Sequence, residues 1–137
     1  MTRIALTLMW LLHWLPLPVL AAVGRQFGRL LHALGKERRR VALTNLRLCL
    51  PHLSEAERET LARRHFEAFG RSFLERGLLW WASEARIRRL VKVEGNEHLG
   101  AVIGQQPVIL LVPHFVGLDM GWTRLSMDYD MSGIYAN

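Results

Sequence analysis

The most constraining feature of this chain is an apolar run near its amino terminus. Residues 4–23 (IALTLMWLLHWLPLPVLAAV) contain no charged side chain. As one α-helix they would extend about 30 Å, roughly the hydrocarbon thickness of a bilayer. His13, Pro16 and Pro18 weaken a continuous span, so a shorter re-entrant or interfacial helix stays open. We predict a membrane anchor over residues 1–24.

A cleaved signal peptide is the alternative interpretation of this run, because Ala21 and Ala22 resemble a small-residue cleavage site. Against it, only Arg3 precedes the run, and six basic residues follow it closely: Arg25, Arg29, Lys36, Arg38, Arg39 and Arg40. Such clusters tend to stay in the cytoplasm. We therefore expect an uncleaved anchor with the remainder of the chain facing the cytoplasm. Gly24 and Gly28 form a G-x-x-x-G pair, which carries little weight outside the apolar run.

Positive charge is concentrated before residue 91. Residues 1–90 contain 16 Lys and Arg against 7 Asp and Glu, whereas residues 91–137 contain 2 against 5. A basic region beside an apolar terminus favours an anionic surface, and membrane phospholipid is the nearest candidate partner. A nucleic-acid partner is disfavoured, because neither an aromatic-basic stacking pattern nor a reading helix accompanies the charge.

Two helices are predicted in the basic region. Residues 38–50 show apolar residues at helical spacing, and Pro51 ends this helix. The single cysteine, Cys49, belongs to the apolar pattern and is predicted to pack in the core. Ser54 and Glu57 form a capping box that begins the second helix. Its apolar positions recur at helical spacing: Ala62, Phe66, Phe69 and Phe73.

The hydrophobic period changes after residue 90. Val91 and Val93 alternate with charged residues, as in a short strand. Residues 108–112 (VILLV) form an unbroken apolar run, which is typical of a buried strand in a parallel sheet. A helix is predicted at 117–127 and another strand near 132–135. Alternating strands and helices predict an α/β fold, here the start of a mixed or parallel sheet.

These patterns divide the chain into three predicted segments. Residues 1–24 form the membrane anchor, residues 25–90 a helical basic segment, and residues 91–137 the beginning of a truncated α/β domain. Because only two or three strands are predicted, we expect the chain to be the front part of a longer protein.

His114 and Asp119 are the candidate catalytic pair. His114 follows the predicted buried strand, at the sheet edge where α/β proteins place reactive groups. On one continuous helix the two residues would lie about 140° apart, but with His114 in a turn and Asp119 in the first helical turn they can meet. The carboxylate would then orient the imidazole, which would take a proton from a substrate hydroxyl. Chance spacing and a helix-capping role for His114 remain alternatives.

Several short motifs follow one another along most of the chain. In order they are Asn45-Leu46, Cys49-x-Pro51, Ser54-x-x-Glu57, His65-Phe66, Gly70, Val93-x-Gly95-x-Glu97-His98-Leu99, and residues 108–119. This order resembles the bacterial lipid A late acyltransferase family. The resemblance implies a glycerolipid-acyltransferase-like fold at the inner membrane and transfer of a fatty acyl group from acyl-carrier protein to a hydroxyl of a lipid A precursor. It also implies that His114 is the general base, which Asp119 would orient. Because an acyl thioester is already activated, we expect that neither a metal nor a cofactor is needed.

The chain departs from the family pattern in two respects. The family usually carries Glu where this chain has Asp119, and its members are considerably longer. We therefore expect an amino-terminal portion that is inactive alone. An acyltransferase with another glycolipid acceptor and a membrane-tethered binding module without catalysis are the alternatives. For Arg124, a surface role is favoured over contact with a lipid phosphate.

Overall fold

The computed structural model describes residues 2–133, and these form seven helices. In chain order they are α1 (Thr2–Leu12), α2 (Leu17–Leu34), α3 (Lys36–Cys49), α4 (Glu55–Trp81), α5 (Glu84–Leu90), α6 (Asn96–Gly100) and α7 (Leu118–Ser126). The chain divides into two compact units, Met1–Gly77 and Leu78–Asn137.

The predicted α/β fold is wrong, because none of residues 2–133 belongs to a β-strand. Residues 108–112 are extended, but the side chains of Ile109 and Leu111 are 94% and 95% exposed. A buried strand needs neighbouring strands that accept its backbone hydrogen bonds, and the described residues provide none. The strand expected at 91–93 is absent for the same reason. The one expected at 132–135 lies partly outside the described residues.

The predicted amino-terminal anchor is divided between two helices. α1 ends at Leu12 and α2 begins at Leu17. Pro16 lacks the amide hydrogen that would continue α1, and its carbonyl oxygen accepts the first hydrogen bonds of α2, including one of 3.0 Å from Leu20 N. Within residues 2–133, every helix is too short or too polar to cross a membrane. Of the two forms left open for the predicted anchor, a continuous membrane-spanning helix over residues 4–23 is therefore wrong.

Three glycines bring α2 and α4 into close contact. A Cβ atom added to Gly28 would lie 2.2 Å from the carbonyl oxygen of Phe66, and one added to Gly70 would lie 2.4 Å from that of Gly24. These distances are shorter than van der Waals contact, so only residues without a side chain fit. The G-x-x-x-G pair of Gly24 and Gly28 is thus part of a helix–helix contact, although it lies outside the apolar run.

Polar and aromatic contacts flank the glycines. Arg29 Nε of α2 donates to Glu67 Oε1 of α4 at 2.7 Å. This hydrogen bond holds the pKa of Glu67 below its ordinary value. The rings of Phe27 and Phe73 lie 5.8 Å apart between their centroids, on the same pair of helices. The two helices are therefore joined along several turns.

The α3–α4 connection follows the predicted boundaries. α3 ends before Pro51, and Ser54 begins α4 with a reciprocal cap. Ser54 N donates to Glu57 Oε2 at 2.7 Å, and Glu57 N donates to Ser54 Oγ at 3.3 Å. The predicted capping box is confirmed. Cys49, however, is exposed, because α3 buries none of its residues, and the prediction of a core position is wrong.

The side chain of Arg58 contacts the connection between α3 and α4 through several hydrogen bonds. Only 8% of the residue is exposed. Its guanidinium donates to the carbonyl oxygens of Leu50 at 3.3 Å and Pro51 at 2.7 Å, and to Glu55 Oε1 at 2.8 Å. The buried charge is thus paired, and carbonyl groups left over at the end of α3 gain a donor.

Candidate active site

His114 lies in an exposed loop between residues 108–112 and α7. Phe115 N donates to the carbonyl oxygen of Pro113 at 2.8 Å, which makes His114 the central residue of a three-residue turn. Leu118 N then donates to the carbonyl oxygen of Phe115 at 3.1 Å, so a second turn follows at once. The two turns leave the imidazole on the surface, where a substrate can reach it.

Gly117 converts this loop into α7. Its φ of 91° and ψ of 2° are left-handed, and it occupies the capping position before the helix. Its carbonyl oxygen accepts hydrogen bonds from Met120 N at 3.0 Å and Gly121 N at 3.2 Å. Residues with a Cβ pay roughly 1–2 kcal/mol for this conformation. Glycine therefore allows the sharp change of direction between His114 and the helix.

Asp119 stands in the first turn of α7 and is exposed. A carboxylate at this end of a helix is favoured by the partial positive charge of the free amide groups. The sequence predicted His114 in a turn and Asp119 in the first helical turn, and both residues lie there. The structure brings them to one loop–helix junction, and their catalytic roles stay predictions.

The opposite end of α7 is held by an ion network that the sequence did not predict. Arg88 of α5 pairs through Nη1 with Asp128 Oδ1, and its Nη2 donates to the carbonyl oxygen of Met127 at 2.9 Å. Arg124 of α7 pairs with Asp128 Oδ2. The hydrogen bond from Arg88 holds the pKa of Asp128 below its ordinary value. The spacing of four residues between Arg124 and Asp128 was the available signal, whereas Arg88 lies 40 residues before Asp128.

Arg124 is largely buried within this ion network. Its side chain is only 14% exposed and is paired with Asp128. It does not present a free guanidinium for a lipid phosphate.

Within residues 2–133, no three His, Cys, Asp or Glu side chains are grouped so that they could hold a metal ion.

The conformation of Gly117 gives a prediction about stability. Gly117→Ala should destabilise the protein by roughly 1–2 kcal/mol, because alanine resists a left-handed φ even though open space surrounds the position. Gly121→Ala is the matched control, since it also faces open space but lies within α7. It should stabilise by about 0.5–1 kcal/mol, because alanine is the better helix former. Urea unfolding measures both changes, and equal effects would contradict the left-handed turn.

Comparisons with known proteins agree with the motif order. The family model described as bacterial lipid A biosynthesis acyltransferase matches residues 1–137. The lipid A biosynthesis lauroyltransferase of Escherichia coli is 35% identical over 136 residues, which is 98% of this chain and 44% of that protein. The lipid A biosynthesis palmitoleoyltransferase of the same species is 31% identical over 136 residues, with the same coverage. A lipid A biosynthesis acyltransferase of Haemophilus influenzae is 35% identical over 124 residues, which is 88% of this chain and 39% of that protein.

The similarity is to curated sequences and covers only part of each relative. No solved structure gives a significant match. The chain spans less than half the length of these curated relatives. The family model nevertheless covers residues 1–137, and the candidate pair, His114 and Asp119, lies within this range. The chain belongs to the bacterial lipid A biosynthesis acyltransferase family.

Proposed function

We propose that the full-length protein transfers a fatty acyl group from acyl-carrier protein to a hydroxyl of a lipid A precursor, and that the 137 residues are its amino-terminal portion. Family membership and the names of the relatives support this class of reaction. The observation that carries the proposal is the loop–helix junction, with His114 exposed on a tight turn and Asp119 in the first turn of α7. An imidazole and a carboxylate that are both exposed therefore lie five residues apart in the sequence.

His114 acts as the general base in the proposed reaction. Its ring nitrogen takes the hydroxyl proton as the hydroxyl oxygen attacks the carbonyl carbon of the thioester. The tetrahedral intermediate then collapses, the C–S bond breaks, and the imidazolium returns the proton to the leaving sulfur. The products are an ester and a free thiol. Asp119 fixes the orientation of the imidazole and stabilises the imidazolium while it carries the proton.

The donor and acceptor follow from the same chemistry. A thioester is already activated, so the step requires neither a metal ion, a cofactor nor a covalent acyl-enzyme. The acceptor is a membrane lipid, and the full-length protein would therefore work at the cytoplasmic face of the bacterial inner membrane. The 16 basic residues before residue 91 support a further contact with anionic phospholipid.

The proposal is tested with purified full-length protein. It is incubated with acyl-acyl-carrier protein and a lipid A precursor, and mass spectrometry follows the acceptor. The expected product is heavier by one acyl group, and free carrier thiol should appear in equal amount. A parallel reaction with a diacylglycerol acceptor tests acceptor class. Acylation of diacylglycerol alone, or of neither acceptor, would overturn the proposal.

A further inference from the structure

α7 is a short helix whose residues are at most half-buried. The helix has nine residues, buries none of them, and has no side-chain cap at its amino-terminal end. Isolated helices of this length are marginal in water. Contacts beyond its own backbone must therefore hold the helix that carries Asp119.

Asp128 supplies such contacts from two sides. One carboxylate oxygen pairs with Arg88 of α5 and the other with Arg124 of α7. Arg88 also donates to the carbonyl oxygen of Met127 at 2.9 Å. The Asp128 side chain is only 24% exposed, so solvent screens these charge-assisted hydrogen bonds less than it would screen surface pairs. The network thus joins the end of α7 to α5.

We propose that Asp128, which pairs with Arg88, is a positioning residue that fixes the position of Asp119 for the acyl transfer. This inference rests on the proposed function. Asp119 lies nine residues before Asp128. Nine helical residues extend roughly 13 Å, so a tilt of about 10° at the anchored end moves the other end by about 2 Å. A displacement of about 1 Å can cost roughly 100-fold in rate. Asp128 acts on turnover only through the placement of Asp119.

The experiment is a double-mutant cycle in the full-length protein, with acyl-acyl-carrier protein and a lipid A precursor as substrates. Asp128→Asn should lower kcat by about 10-fold to 100-fold and leave the KM for the acceptor unchanged. In an Asp119→Asn background the same change should have no further effect, because the misplaced group is already gone. Glu84→Gln is the matched control. Glu84 pairs with Arg88 within α5 at 2.7 Å. Removing the charge of Glu84 leaves the contact between Arg88 and Asp128 in place, so kcat should not change.

The outcomes separate this inference from the proposed function. If Asp128→Asn lowers kcat equally in the unchanged protein and in the Asp119→Asn variant, the positioning role alone is overturned. The same holds if Asp128→Asn has a normal kcat while Asp119→Asn is impaired. A normal kcat for Asp119→Asn would overturn the proposed role of Asp119 and this inference together. If circular dichroism shows that Asp128→Asn does not fold, Arg88→Lys is used instead. A lysine cannot reach both Asp128 and Met127 as Arg88 does, so it must reproduce the same non-additive loss.

Discussion

His114→Ala should lower the turnover of the full-length protein by about 10²–10⁴-fold, the usual contribution of a general base. Without the imidazole, nothing at the loop takes the hydroxyl proton during attack on the thioester. The side chain is exposed, so its truncation leaves no cavity and should not unfold the protein. Initial rates with acyl-acyl-carrier protein and a lipid A precursor measure the loss, and circular dichroism checks the fold.

His98→Ala is the control for this prediction. His98 belongs to the same unit, its side chain is 85% exposed, and the proposed reaction does not use it, so turnover should not change. Asp119→Asn should also be impaired, because an amide stabilises an imidazolium less well than a carboxylate does. Asp119→Glu should keep partial activity, since it restores the charge on a longer side chain. Near-normal turnover of His114→Ala would leave His114 with a structural role in the loop.

Gly28→Ala should strongly destabilise the amino-terminal unit, Met1–Gly77. The new Cβ atom would lie 2.2 Å from the carbonyl oxygen of Phe66, and a backbone atom cannot move aside as a flexible side chain can. α2 and α4 must therefore separate. Overpacking of this kind typically costs about 1–3 kcal/mol, and we expect about 3 kcal/mol because backbone meets backbone. For a unit of this size the melting temperature should fall by about 12 °C or more.

Gly121→Ala again serves as the control, because it makes the same chemical change in a helix where the added atom meets open space. Thermal unfolding of both variants separates the contact from the general effect of alanine in a helix. A melting temperature for Gly28→Ala at or above that of the unchanged protein would mean that α2 and α4 do not approach as closely as described.

Local signals predicted the helical boundaries well. Pro51 ends α3 because it cannot continue a helix, and Ser54 and Glu57 begin α4 through hydrogen bonds three residues apart. Each of these effects is set by neighbours along the chain, so the sequence alone contains the information. The junction between His114 and α7 was predicted for the same reason.

Contacts between distant residues were not predictable in this way. Residues 108–112 have the composition of a buried strand, but a strand exists only where other segments pair with it. Gly24 and Gly28 acquire their role from Gly70, which lies more than forty residues further along the chain. Arg88 was likewise missed, because nothing in its local sequence indicates that it contacts Asp128.

The glycine contact also limits how this protein can be recombined with its relatives. A chimera that takes α2 from one parent and α4 from another joins two helix surfaces that did not evolve in contact with each other. At Gly28 and Gly70, a methyl group from either parent would collide with backbone of the other. Crossover points between residues 34 and 55 would split the pair, so functional hybrids should inherit α2 and α4 together.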